Sequence, residues 1–122
     1  MAKIMIVDDS AYARRVHRAR LEASGHSTIE AGTGIGAIEM FSLERPDVVI
    51  LDLSMADLGG LEVLKTLRQL DEQARVIVVS ADVQRSTEQS VKAAGAERFL
   101  AKPTNAEQLA AAISDVLGAS RP

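Results

Sequence analysis

Residues 48–52 read Val-Val-Ile-Leu-Asp, four apolar side chains in a row closed by a carboxylate. Three of the four are branched at Cβ, and a run this short between breaks reads as a strand rather than a buried helix. It is apolar at every position rather than every second one, so it belongs in the middle of a parallel sheet covered on both faces. Outward from it the pattern repeats. Ile4 to Val7 and Val76 to Val79 are runs of the same kind. Ser27 to Glu30 alternates more, which marks a sheet edge, and Glu97 to Leu100 is a weaker fifth run.

The segments between these runs have helical spacing over about ten to sixteen residues, the signature of repeated βα units. Leu61, Leu64, Leu67 and Leu70 share one face of the third helix, and Leu109, Ile113, Val116 and Leu117 one face of the last. Thr104 and Glu107 have the spacing of a capping box at the start of that last helix. The fourth helix, Gln84 to Ala94, has Val91 as nearly its only large apolar residue and is expected to pack weakly. Gly59-Gly60 is expected to supply positive φ before the third helix. Gly32, Gly34 and Gly36 have neither the spacing of a dinucleotide fingerprint nor a P-loop lysine, and predict a loosely started second helix. The sum is an α/β fold, a flavodoxin-like (βα)5 doubly wound parallel sheet with strand order 2-1-3-4-5. One domain over residues 1–118 and a short tail at 119–122 are expected.

The chain of 122 residues carries 14 Lys plus Arg, 17 Asp plus Glu and no cysteine. Thiolate metal clusters, disulfides and a cysteine nucleophile are excluded because the sulfur is absent. A formal charge of −3 argues against generic nucleic-acid affinity, which needs a basic face. No apolar run approaches the roughly 18 residues of a membrane span. The start has no signal-peptide core, since two aspartates follow Val7. A cytoplasmic location is expected.

In a parallel sheet the C-terminal ends of the strands share one edge, and ligands bind there where the strand order reverses, between the first and third strands. Asp8 and Asp9 follow the first run, Asp52 the third, Ser80 the fourth and Lys102 the fifth. Two carboxylates about 5 Å apart repel by roughly 3 kcal/mol at an effective dielectric of about 20. Three in one crevice therefore want a cation. All-oxygen ligation by few protein groups fits Mg2+, which retains positions for a phosphate oxygen. Lys102 would add positive charge from the opposite side, and the Ser80 hydroxyl could bond a phosphoryl oxygen.

Taken jointly, Asp8-Asp9, Asp52, Ser80-Ala81 and Lys102-Pro103 at successive strand ends resemble the response-regulator receiver domains of two-component signalling, chemotaxis-type single-domain receivers among them. Each motif alone is common by chance; their joint spacing is specific, and the likeness spans essentially the whole chain. The resemblance implies that Asp52 is the phosphoacceptor, forming an aspartyl phosphate from a sensor histidine kinase or a histidine phosphotransfer protein. It implies Mg2+ held by Asp8, Asp9, Asp52 and the backbone carbonyl of Ser54, with Lys102 on the phosphoryl group. Ser80 and Phe99 would be the switch residues, and a cis peptide would precede Pro103. Output would pass to a protein target through the face of the fourth helix, fifth strand and fifth helix. Such a domain promotes only its own phosphorylation and dephosphorylation, so it would not be a conventional enzyme. Ala56 stands where many receivers carry proline, which implies a less rigid loop after Asp52. Ser54 and Asp82 occupy positions that tune loss of the phosphoryl group in the family.

Blander readings stand beside these. Asp9 alone would cap a helix, Lys102 alone would be a solvated lysine and Phe99 a core aromatic. Arg14 and Arg18, one turn apart, are either a solvated helix face or a partner-docking patch, and His17 and His26 read as surface residues. A Mg2+-dependent phosphohydrolase with Asp52 as nucleophile would need a general acid and a substrate cap, for which no candidate is seen. A flavin module suits neither the acidic crowding nor a total of three aromatics.

Overall fold

The computed structural model describes residues 1–55 and 57–118; Ala56 and the tail at 119–122 lie outside the described residues. Five strands, β1 (Lys3–Val7), β2 (Ser27–Ala31), β3 (Val48–Asp52), β4 (Val76–Ser80) and β5 (Arg98–Ala101), alternate with five helices. These are α1 (Ala11–Ala23), α2 (Gly34–Glu44), α3 (Gly60–Leu70), α4 (Arg85–Ala93) and α5 (Ala106–Gly118). All strand pairs are parallel, in the order β2-β1-β3-β4-β5. The expected fold class and strand order are both met, and the more alternating β2 does lie at an edge.

The continuous apolar runs split by parity. Met5, Val7, Val49, Leu51, Val76 and Val78 face a core closed by Phe41 of α2, Leu64 and Leu67 of α3 and Val91 of α4. Ile4, Ile6, Val48, Ile50, Ile77 and Val79 face a second core closed by Leu21 of α1 and by Leu109, Ile113 and Val116 of α5. Alternate residues of a strand point to opposite faces, so a strand buried on both must be apolar throughout.

Several local expectations are corrected. The capping box of α5 is Asn105 with Gln108, not Thr104 with Glu107: the Gln108 N–H donates to Asn105 Oδ1 (2.8 Å) and the Asn105 N–H to Gln108 Oε1 (3.2 Å). Both pairs are spaced by three residues, so spacing alone did not separate them. Leu70 is half exposed, beyond the buried stripe of α3. Gly59 has φ −56°, so no positive φ precedes α3. Gly60 is required for a different reason: a Cβ there would lie 2.5 Å from Leu53 Cα and 2.7 Å from its carbonyl oxygen. Helix α2 does not start loosely either. Thr33 Oγ1 accepts from the Gly36 N–H (2.9 Å), while the Asp57 carboxylate accepts from Gly34 (2.8 Å) and Ile35 (3.2 Å). Those backbone bonds, Gly34 foremost, hold the Asp57 carboxyl below its ordinary pKa. As expected, α4 is loosely held, with Val91 its one fully buried side chain and no side-chain cap at Gln84.

Gly60→Ala is expected to cost about 1–3 kcal/mol, because backbone cannot yield to the new methyl group. Gly59→Ala, with nothing within 4 Å, should cost under about 1 kcal/mol. Urea unfolding midpoints check the pair, and equal losses would refute the close-approach account.

Candidate functional site

The crevice forms because β1 and β3 are neighbours whose following helices cover opposite faces of the sheet. Asp8 directly follows β1 and Asp52 closes β3. The backbone ladders run on past the strands, with the Asp8 N–H donating to Ala31 O and the Leu53 N–H to Val79 O, each at 3.2 Å. Asp8, Asp9 and Asp52 each offer a carboxylate oxygen, all within 4.8 Å of one another. Asp8 and Asp52 are only 2% and 4% exposed, while Asp9 is at the surface.

The counter-charge comes from the residue that follows β5. The Lys102 N–H donates to Ser80 O (2.9 Å), which sets the lysine beside the end of β4. Its Nζ stands 3.1 Å from Asp52 Oδ1 and 3.7 Å from Asp8 Oδ2. The Lys102–Pro103 peptide is cis. One ammonium thus faces two buried carboxylates and a third nearby. Burial raises the Asp8 pKa most; the Ser10 N–H, donating to Oδ1 at 2.9 Å, opposes this, and the Asp52 charge adds to the rise. A crowded all-oxygen site short of positive charge is the donor set of a hard divalent cation such as Mg2+.

Ser80 is fully buried, and its Oγ accepts from the Asp82 N–H at 3.0 Å. Asp82 in turn accepts from the Gln84 N–H (3.1 Å) and from Thr87 Oγ1 (2.8 Å), bonds that lower its pKa. A continuous polar path therefore runs from the crevice to the first turn of α4. Ser54 is exposed, and its N–H donates to Asp52 Oδ1 (3.2 Å). Phe99 is half-buried in β5 and packs against the core on the α4 side, not among the acids.

Several roles escaped spacing arguments. Arg14 is a strut under the site: Nη1 donates to Asp8 O (2.6 Å) and Nε to Glu30 Oε1 (3.0 Å). Arg18 pairs with Glu22 (3.0 Å) and Glu30 (3.3 Å). The two arginines, read as either a solvated helix face or a partner-docking patch, both form ion pairs within the molecule. His17 is not a surface residue but 93% buried, its burial the main cause of a lowered pKa. His26 is half-buried, and its Nδ1 accepts from the Ala2 N–H (3.1 Å). Glu30 sits 16 residues from Arg14, a separation no local pattern bridges.

With this geometry established, comparison with known proteins is direct. The family model described as the response regulator receiver domain matches residues 4–114. The chain is similar to the chemotaxis protein CheY of Bacillus subtilis (strain 168), 36% identical over 116 residues that cover 94% of this chain and 97% of that one. Among solved structures it resembles the chemotaxis protein CheY4 of Vibrio cholerae, with a TM-score of 0.91 and 30% identity over 96% of this chain and 99% of that one. It also resembles the CheX-CheY-BeF3-Mg+2 complex from Borrelia burgdorferi, with a TM-score of 0.92 and 25% identity over 96% and 90% of the two chains. The chain belongs to the response regulator receiver family, signalling proteins of two-component systems rather than conventional enzymes. Among the described residues no helix is long and apolar enough to cross a membrane.

The raised pKa of Asp8 carries a sign. Folding favours its neutral form, a contribution fully present below the ordinary value of 3.8 and lost as pH rises through the higher folded-state value. In chelator, Asp8→Asn should therefore exceed the wild type in stability by roughly 1 kcal/mol at neutral pH, with the gap closing toward pH 4. Wild type should gain about 1.4 kcal/mol from Mg2+ at ten times its Kd, and the variant little. Thermal unfolding with and without Mg2+ checks both; a variant less stable than wild type at neutral pH would refute the account.

Proposed function

We propose that this chain is a phosphorylation-dependent switch in which Asp52 takes a phosphoryl group from the phosphohistidine of a sensor histidine kinase or a histidine phosphotransfer protein. The observation that carries the reading is the buried Asp52 carboxylate with Lys102 Nζ at 3.1 Å, beside Asp8 and Asp9, in a chain of the receiver family. Asp8, Asp9, Asp52 and the backbone carbonyl of Ser54 are the groups that would hold Mg2+. When bound, the ion supplies neutralisation of charge between the carboxylates and an approaching phosphoryl group. The Borrelia burgdorferi CheY complex, whose description includes both BeF3 and Mg2+, supports that assignment.

An Asp52 carboxylate oxygen attacks phosphorus; the P–N bond breaks, its electron pair returns to the imidazole, and the ring takes up a proton. Lys102 pairs with the phosphoryl oxygens, a role that its 3.1 Å contact with Asp52 supports. Ser80 turns its hydroxyl to donate to the phosphoryl group, and the movement of Oγ alters the bond it accepts from the Asp82 N–H. Asp82 also holds Thr87 and Gln84, so this movement shifts the weakly packed start of α4. Phe99, half-buried on the same side, then turns inward, and the face of α4, β5 and α5 changes its affinity for a protein target. Ser54 and Asp82 flank the approach of the water that later removes the group. The chain acts on no substrate other than itself, makes no direct contact with nucleic acid or membrane, and works in the cytoplasm.

Intact mass after incubation with Mg2+ and acetyl phosphate should show one added phosphoryl group. The addition should vanish in Asp52→Ala and in chelator. Ser80→Ala should keep the mass gain but lose the phosphorylation-dependent amide shifts of α4 in nuclear magnetic resonance spectra. An unmodified wild-type chain under conditions where Mg2+ is bound would overturn the reading.

A further inference from the structure

The loop between β3 and α3 carries Ser54, whose backbone carbonyl is the one metal ligand of the proposed set that is not a carboxylate. A carbonyl oxygen can serve only where the chain holds it. Residues 53–59 read Leu-Ser-Met-Ala-Asp-Leu-Gly, with no proline to restrict them. The start of the loop is nevertheless fixed. The Ser54 N–H donates to Asp52 Oδ1 (3.2 Å), the Gly60 N–H reaches back to Leu53 O (3.0 Å), and the Met55 side chain is buried in the core on the α2 and α3 side.

Asp57 fixes the far side of the loop, and it does so against another element. Its Oδ1 accepts from the Gly34 N–H (2.8 Å) and its Oδ2 from the Ile35 N–H (3.2 Å), so both oxygens are engaged at the start of α2. Helix α2 already has a cap of its own in Thr33, and its first turn contains no acid, so the Asp57 charge also meets an unopposed positive helix end. Loop and helix touch as well as bond. A Cβ on Gly34 would lie 2.9 Å from Leu58 Cβ and 3.1 Å from the Leu58 carbonyl oxygen, an approach that only glycine permits. The joint therefore rests on two bonds and a close contact, 23 residues apart in the chain.

We propose that Asp57 is a positioning residue for the cation site: by gripping α2 it holds the β3–α3 loop so that the Ser54 carbonyl stays beside Asp52, and it thereby sets the affinity for Mg2+. This rests on the reading of Asp8, Asp9, Asp52 and Ser54 as the ligands. Asp57 is not among the three clustered carboxylates and acts through the chain. Without its grip the loop must be ordered at the moment the ion binds, and that lost freedom is subtracted from affinity.

Two measurements on the full 15N-labelled chain test the proposal. In chelator, backbone order parameters at Ser54 and Met55 should match the rigid value of about 0.85 in the wild type and fall well below it in Asp57→Ala. A wild-type loop already mobile without metal would overturn the proposal, whether or not the variant folds. In a Mg2+ titration followed by amide shifts, Asp57→Ala should bind about fivefold more weakly than wild type, less than the roughly 10–100-fold lost with a partner bonded directly to a ligand. Asp57→Asn removes the charge but keeps an acceptor for the Gly34 N–H, and should stay within about twofold of wild type. Equal affinity in Asp57→Ala would reduce Asp57 to a helix cap, and an Asn variant as weak as the Ala variant would assign the effect to charge; either overturns the proposal. A wild type that shows no saturable shifts with Mg2+ removes the ligand reading instead, while the order parameters still decide whether Asp57 holds the loop.

Discussion

The structure turns on like charge held at close range in a buried place. Three carboxylates within 4.8 Å, two of them almost fully buried, are offset by a single lysine ammonium. Folding brings this about because β1 and β3 are apolar on both faces and must sit side by side under helices. The strand ends then deliver Asp8 and Asp52 to the same point whether or not their charges favour it. Stability from two apolar cores is set against a local electrostatic cost at three carboxylates that could hold a metal ion.

The same economy shapes the route outward. Ser80 is buried, yet its hydroxyl accepts from the backbone of Asp82, which itself grips the first turn of α4. A helix anchored by one buried valine offers little resistance to displacement. On the opposite face of the sheet, α1 is tied to β2 through Glu30, which pairs with both Arg14 and Arg18. Helix α4 is thus the weakly anchored element on a face that α2 and α3 otherwise pack tightly.

Much of this was legible in the chain. Continuous apolar runs such as Val48 to Leu51 declare central parallel strands, because only a strand covered on both faces tolerates them. Asp8, Asp9, Asp52, Ser80 and Lys102 declare the crevice, because residues that end parallel strands share an edge. Capping and glycine chemistry was less legible. Asn105 with Gln108 and Thr104 with Glu107 have the same spacing, and Gly60 is needed for the approach of Leu53 backbone rather than for its own φ.

What the sequence determined by itself is the periodicity of the strands and helices and the chemical type of the residues at the strand ends, both properties of neighbours along the chain. Only the tertiary structure decided that Asp57 caps α2 from 23 residues away, that Arg14, held by Glu30, braces Asp8, and that His17 lies buried. Those contacts join elements through space. Their partners are chosen by how two cores pack against one sheet, and packing leaves no trace in local spacing.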